Sequence, residues 1–154
     1  MMKIADYIDE NHIIFLDGKY AKEELLEYFA RKFKEIDLIE DESLVYNSLI
    51  EREKLSSTAV GEEVAIPHAK ITDLDEIKIL IAISKEGQDF DAADRLPVKL
   101  FFVVIAPANQ MQLHLKTLAR ISRLMKMTNF KSRVLSVNTP SEVLNILKEE
   151  ESNL

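Results

Sequence analysis

The side chains of this sequence best suited to chemistry are those of three histidines, His12, His68 and His114, and of Arg52. His68 directly follows Pro67 in the segment TAVGEEVAIPHAK. Proline fixes its own φ and pushes the residue before it toward an extended conformation. The imidazole of His68 is therefore predicted to stand on stiffened backbone, which suits a reactive group and equally suits an ordinary turn.

His114 is a candidate for binding an anion. It falls in the first turns of a predicted helix, four residues before Leu118, so it faces inward with the apolar stripe. Near a helix amino terminus the dipole disfavours the protonated ring, and a neutral imidazole can donate to a phosphate oxygen. The alternative is a core histidine satisfied by a hydrogen bond.

Arg52 is the second candidate for anion binding. It stands in the tripeptide ERE, shortly before an SST run. Its guanidinium offers a planar fork that can hold two phosphate oxygens at once. The alternative is a surface ion pair with Glu51 or Glu53.

Other chemistries have weaker support. His68 and His114 could ligate zinc with an acid such as Asp73 or Glu63, but the chain has no HExxH or close histidine pair. The glycine-rich nucleotide loop and the serine-hydrolase elbow are absent, and without cysteine there is no thiolate site or disulfide. His12, in ENHIIFL before a predicted strand, has no partner nearby and is expected to be structural. We therefore expect neither a metal nor a cofactor.

Periodicity predicts the elements that must position these residues. The segment EELLEYFARKF is predicted to be a helix with one buried stripe, and ESLVYNSLIERE a second helix ending near Arg52. Residues 77–84 and 98–106 are predicted strands, and the second is apolar enough to be central. Three predicted helices follow. The first starts at residue 110 with Asn109 as its N-cap, the second is a short helix in NFKSRVLSV, and the last begins at the capping box TPSE.

Composition places limits on the whole protein. No repeat or linker divides the sequence, so residues 1–154 are predicted to form one compact α/β domain, a mixed β-sheet flanked by helices on both faces. A net charge of −7 makes nucleic acid a poor partner. The amino-terminal segment MMKIADYIDENHII carries acids and is neither a signal peptide nor a membrane span, so we expect a cytoplasmic protein without direct membrane insertion.

Two blocks of the sequence resemble a known family. The blocks ERE…SSTAVGEEVAIPHAK and LFFVVIAP…LHLKTLARISRLM are similar to the enzyme IIA domain of the phosphoenolpyruvate-dependent sugar phosphotransferase system. The branch is the fructose/mannitol type, which also includes the nitrogen-regulatory enzyme IIA proteins. The likeness spans roughly residues 44–135, and the family's fold, a mixed sheet flanked by helices, agrees with the pattern.

The resemblance implies roles for the candidate residues. His68 matches the family's phosphorylated histidine, which accepts phosphate from the histidine phosphocarrier protein and, in sugar transport, passes it to an enzyme IIB partner. His114 matches the second active-site histidine, and Arg52 matches the arginine beside them. Two functions are implied: sugar transport, with the IPHAK block favouring the fructose type, or a regulatory module whose protein contacts are switched by phosphorylation.

Three positions depart from the family's pattern. The family often has a second glycine where this chain has Glu62-Glu63, a glycine where it has Ala69, and an Asp-Gly turn where it has Asp94 and Arg95. A carboxylate beside the site would repel phosphate, whereas one that points to solvent would matter little. The oligomeric state and the identity of the sugar are not predicted.

Overall fold

A six-stranded mixed sheet forms the centre of the computed structural model, which describes residues 2–154. Two 3₁₀ turns, Ile4–Tyr7 and Glu10–His12, precede the first strand. The strands are β1 (Ile13–Phe15), β2 (Ala59–Gly61), β3 (Val64–Ala65), β4 (His68–Ile71), β5 (Lys78–Gln88) and β6 (Val98–Pro107). The helices are α1 (Lys22–Glu35), α2 (Glu42–Leu55), α3 (Met111–Met127), α4 (Phe130–Val134) and α5 (Pro140–Glu151).

The sheet is built around β5 and β6, which pair antiparallel. On the far side of β5 lies β1, in parallel register with it. On the far side of β6 lie both β3 and β4, each parallel to β6, and β2 pairs antiparallel with β3 at the edge. His68 is therefore the first residue of β4, a strand that pairs directly with the buried central strand β6.

The residues 64–71 are a single extended segment interrupted at one point. Val64 is opposite Leu100 and His68 is opposite Val104, so β3 and β4 keep the same register on β6. Pro67 has no N–H to donate, which breaks the ladder between the two strands. Its carbonyl still accepts from the backbone N–H of Val104 at 2.9 Å. The stiffened backbone predicted before His68 is thus tied to the sheet.

Helices cover both faces of the sheet, as predicted. The α1 and α2 side chains pack on the face that carries Leu80, Phe101 and Val103, and the α3, α4 and α5 side chains pack on the face of Ile81 and Phe102. Neighbouring strand residues point to opposite faces, so a continuous apolar run in β6 supplies both cores. The fold is α/β with one compact domain. Within the described chain, no helix combines the length and apolar character that crossing a bilayer requires.

Several predicted boundaries differ from the structure. The strand predicted at 77–84 runs to Gln88, because a register shift after Ile83 lets pairing with Val98 resume. The N-cap of α3 is Gln110 and not Asn109, and no side chain caps the helix, because the preceding residues form a turn in which Gln110 N–H donates to the Pro107 carbonyl. The short strands β2, β3 and β4 were not predicted. The predicted start of α5 is confirmed, with Thr139 as the N-cap and Pro140 in the first turn. The capping box is only half formed: Thr139 accepts from the Glu142 backbone N–H, but the Glu142 carboxylate accepts instead from the Asn138 N–H and the Thr139 hydroxyl.

Two of the three departures from the family's glycines occupy left-handed backbone, whereas Ala69 lies in the extended strand β4. Glu62 and Glu63 have φ of 55° and 71°, the sign that a tight hairpin turn requires at both central positions, and Arg95 has φ of 62°. Glycine adopts this conformation without a steric cost, whereas other residues pay about 1 kcal/mol. The Asp94 carboxylate stabilises both turns, because it accepts from the backbone N–H of Glu62 in the hairpin and from that of Leu96 beside its own turn.

The exposed turn at Arg95 offers a direct test of this strain. We expect Arg95→Gly to raise the free energy of unfolding by roughly 0.5–1 kcal/mol, because glycine removes the left-handed penalty. Chemical denaturation measures the change. Lys148→Gly, at an exposed position of α5, is the matched control and should lose about 1 kcal/mol, because glycine weakens a helix. A loss of stability in both variants would contradict the prediction.

Candidate active site

A cleft of about 580 Å³ lies where the end of α2, the start of β4 and the first turns of α3 meet. These three elements contribute Arg52, His68 and His114 respectively. The three candidates are separated by up to 62 positions in sequence and share one cleft. Exposed apolar side chains of Leu55, Met111 and Leu115 also line it.

The ring of His68 is held in one orientation by the backbone two residues before it. Nδ1 lies 2.6 Å from the carbonyl oxygen of Ile66. A carbonyl oxygen can only accept, so Nδ1 carries the proton and donates it, and the lone pair of the neutral ring lies on Nε2. Burial lowers the pKa of His68 below its ordinary value of 6.5, while the Ile66 hydrogen bond opposes the shift and the nearby charge of Arg52 adds to it. The ring is therefore neutral at pH 7.

His114 is the more deeply buried of the two histidines, with 5% of its surface exposed. Its ring lies against that of His68, with centroids 5.4 Å apart and planes tilted by 49°. Burial, followed by the charges of His68 and Lys70, lowers the pKa of His114 to about 4. Its Nδ1 is buried and has no hydrogen-bond partner among the described residues. A neutral ring with an unpaired polar atom favours the anion-binding role of His114 over the alternative, a core histidine whose hydrogen bonds are satisfied.

Arg52 does not form the ion pair with Glu51 or Glu53 that was the alternative for it. Its Nη1 donates to the carbonyl oxygen of Ser56 at 2.9 Å, so the side chain folds over the end of its own helix. The guanidinium has further N–H groups besides Nη1, and its charge acts on His68. This leaves Arg52 beside the histidines and able to donate to a bound anion.

Sequence reasoning missed two charged neighbours of the site. Lys70 lines the cleft two residues after His68, and its charge helps to lower the pKa of His114. The rule that residues i and i+2 of a strand share a face would have found Lys70, but β4 was not predicted to be a strand. Glu53 is buried behind Arg52, where it accepts from the Thr58 backbone N–H and pairs with Lys22 at 2.9 Å. Its charge partly offsets that of Arg52 at His68.

The remaining candidates lie elsewhere. His12 is buried beside β1, on the opposite side of the sheet from β4, and its Nδ1 accepts from the Asp9 backbone N–H at 3.0 Å. Glu63 does not line the histidine cleft but pairs with Lys99 and Lys131. Among residues 2–154, no third acid or histidine joins the two rings in a metal-binding group, so the zinc alternative gains no support from the geometry.

The pKa of His114 predicts how stability depends on pH. Because the folded-state pKa, about 4, lies below the ordinary 6.5, the unfolded chain binds the proton more readily between these values. The contribution of His114 is therefore complete above pH 6.5 and is lost as pH falls toward 4. Urea unfolding across this range should show a shallower fall for His114→Gln than for wild type. Parallel curves for the two proteins would contradict the assignment.

Comparison with known proteins agrees with this geometry. A model of the family "Phosphoenolpyruvate-dependent sugar phosphotransferase system, EIIA 2" matches residues 6–150. The chain belongs to this family. Membership makes the protein a phosphotransferase-system component of the EIIA type and supports a phosphocarrier role.

The relatives of this EIIA protein carry two kinds of names. A nitrogen regulatory protein from Bradyrhizobium diazoefficiens is 38% identical over 125 residues, 81% of each chain. A fructose-specific EIIA component from Haloferax volcanii is 31% identical over 129 residues, 84% of each chain. The crystal structure of the nitrogen regulatory protein IIA-Ntr from Neisseria meningitidis has a TM-score of 0.83 at 28% identity, covering 94% of this chain and 98% of that one.

The fold is shared with the mannitol branch as well. The crystal structure of IIA mannitol from Escherichia coli has a TM-score of 0.75 at 23% identity, covering 91% of this chain and 98% of that one. A related structure is the complex of enzyme IIA mannitol with phosphorylated enzyme IIB mannitol from the same organism, with a TM-score of 0.76 at 22% identity over 92% of this chain and 97% of that one. These two likenesses establish the architecture.

Proposed function

We propose that residues 1–154 form one IIA-type phosphocarrier domain in which His68 accepts a phosphoryl group from the histidine phosphocarrier protein and passes it to an enzyme IIB partner. The observation that carries the proposal is the pairing of two neutral imidazoles, with ring centroids 5.4 Å apart, in a cleft that Arg52 also lines. Family membership supplies the reaction class. We place the reaction in the cytoplasm, and it needs no metal or cofactor.

The hydrogen bond of His68 selects the reacting nitrogen. With the proton on Nδ1, held by the Ile66 carbonyl, the lone pair of Nε2 attacks phosphorus. The P–N bond to the donor histidine breaks as the P–Nε2 bond forms, so the donor imidazole leaves with its electron pair and no water takes part. Nδ1 keeps its proton throughout. The lowered pKa of His68 favours the reaction because only the neutral ring is nucleophilic.

The other groups of the cleft stabilise the transferred phosphoryl group. Catalysis of phosphoryl transfer depends mainly on positioning and on donors aimed at the phosphoryl oxygens. His114 can donate an N–H to one oxygen without adding a positive charge to His68, since its pKa of about 4 keeps it neutral. Arg52 supplies the full charge from the end of α2. Lys70 adds a second positive charge at the cleft.

The surface around the cleft suits a protein partner. Leu55 is 81% exposed, Leu115 is 57% exposed, and Met111 stands beside them. Interface cores are enriched in apolar side chains, Met among them, so these exposed side chains suit burial against a protein partner. The phosphocarrier donor and the enzyme IIB acceptor must each bring a reacting side chain to His68. Both partners would therefore bind to the same apolar side chains around the cleft.

Phosphate transfer in vitro tests the proposal. The purified chain is incubated with phosphoenolpyruvate, enzyme I and the histidine phosphocarrier protein, and the intact mass is measured. We expect one phosphoryl group per chain, labile in acid and stable in base, and mapped to the peptide that contains His68. An unlabelled chain, with a control enzyme IIA labelled in parallel, would contradict the phosphocarrier role.

A second candidate is a regulatory module of the nitrogen type. It is favoured by the 38% identity to a nitrogen regulatory protein and by the structural match to IIA-Ntr. The fructose-type role is favoured by the 31% identity to a fructose-specific component and by the IPHAK block. Transfer from the phosphorylated chain to a fructose-type enzyme IIB separates them. Rapid loss of the label to IIB supports transport, and retention of the label supports regulation.

A further inference from the structure

A second cleft lies along α3, beyond the histidine cleft, between the β2–β3 hairpin and the carboxyl-terminal half of the helix. Its volume is about 310 Å³, at the lower end of the range of roughly 300–1,000 Å³ for small-molecule sites. The buried side chains of Val64 and Ile66 and the partly buried Met125 supply its apolar lining. The two clefts have no lining residue in common.

The hairpin wall of this cleft is held in place by charge. Lys131 of α4 donates to the Glu62 carbonyl oxygen at 2.7 Å and lies 3.7 Å from the Glu63 carboxylate. Lys99 of β6 pairs with the other oxygen of Glu63 at 3.3 Å. The Glu62-Glu63 turn, which departs from the family's glycine, is therefore fixed over the cleft, and the carboxylate of Glu63 is neutralised.

One positive charge at the cleft is left available. Lys126 lines the cleft from the last turn of α3, is exposed, and has no ion pair among the described residues. Three lysines, at positions 99, 126 and 131, and three carboxylates, of Glu62, Glu63 and Asp94, surround the cleft and its hairpin, so the charges balance in number. Lys99 and Lys131 are paired with Glu63, whereas Lys126 has no such pair among the described residues. An apolar floor with one free ammonium matches a ligand with a carbon skeleton and one anionic group.

We propose that this cleft binds a small organic acid, with its carboxylate on Lys126 and its carbon skeleton on Val64, Ile66 and Met125. Ile66 connects the two clefts, because its side chain lines this one and its carbonyl accepts the Nδ1 proton of His68. An occupant that moves Ile66 therefore also moves the ring of His68. The proposal concerns the unphosphorylated chain and does not depend on phosphoryl transfer.

The test uses 4-phenylbutyrate as the probe and its neutral amide as the matched ligand. We follow the methyl resonances of Val64, Ile66 and Met125 and the ring resonances of His68 by NMR during titration of the full chain. We expect saturable shifts with the acid at all four residues and about tenfold weaker binding of the amide, the loss of one charged contact.

Two lysine variants complete the test. Lys126→Met keeps the aliphatic stem and removes the charge, and it should weaken the binding of the acid about tenfold. Lys148→Met, at an exposed site on α5, should leave the affinity unchanged. The proposal is overturned by equal affinities for acid and amide, by undiminished binding to Lys126→Met, or by shifts confined to the histidine cleft.

Discussion

His68→Gln should abolish phosphate uptake from the histidine phosphocarrier protein, whereas His114→Gln should still be labelled at a rate about 100-fold lower. The first substitution removes the nucleophile, and we expect the other imidazole of the cleft, His114, not to replace it because only 5% of its surface is exposed to a donor. The second removes one donor to the phosphoryl oxygens, and loss of a single positioned donor costs about 10²–10³ in rate. Rapid-quench labelling with intact-mass detection measures both variants against wild type.

The control for these variants is His12→Gln. His12 is also a buried histidine, but its polar contacts are with Asp9, and it lies across the sheet from the cleft. This variant should be labelled at the wild-type rate. Labelling of His68→Gln with a phosphohistidine elsewhere would show that the nucleophile has been misassigned. A His114→Gln variant as fast as wild type would show that the second ring does not act on phosphate.

Glu151→Ala should produce the largest loss of stability among single ion-pair variants of this chain. Glu151 has 3% of its surface exposed, and its two oxygens accept from the backbone N–H groups of Ile4 and Ala5. One of those oxygens also accepts from Nε of the buried Arg120 at 2.9 Å. Removing one partner of a buried charge pair costs about 3–5 kcal/mol. For a chain of this size that corresponds to a fall in melting temperature of about 10 °C.

Glu149→Ala is the matched control for Glu151→Ala. Glu149 lies two residues away on the same helix, and its carboxylate accepts from Arg133 at 2.7 Å, a shorter contact than that of Glu151. Both members of this pair, Glu149 and Arg133, are exposed, so solvent screens the pair and the melting temperature should change little. Equal losses in the two variants would show that burial does not decide the strength of these pairs.

Much of the fold follows from local patterns. The stripe of Leu25, Leu26, Phe29 and Phe33 predicts α1, and all four side chains are buried. The apolar run of β6 predicts a strand covered on both faces, and the two cores meet across it. The capping box at Thr139 predicts the start of α5. These features depend on neighbours within one or two turns of chain, so sequence carries them directly.

The short strands could not be predicted in the same way. β2, β3 and β4 have three, two and four residues, too few to show a periodicity. β3 and β4 are strands because β6 offers its edge to residues 64–71, which is a non-local contact, and β2 then pairs with β3. The left-handed conformations of Glu62 and Glu63 are likewise supported by a contact from outside their turn, the Asp94 carboxylate, and their side chains give no local signal.

The sequence by itself determined which residues are chemically able to act: a histidine after a proline, a second histidine at a helix start, and an arginine at a helix end. Only the tertiary structure decided that these three share one cleft, that the Ile66 carbonyl directs the lone pair of His68 to Nε2, and that burial keeps both rings neutral. The physical reason is distance along the chain. The identity of a side chain is local, but its pKa, tautomer and partners are set by groups that folding brings beside it.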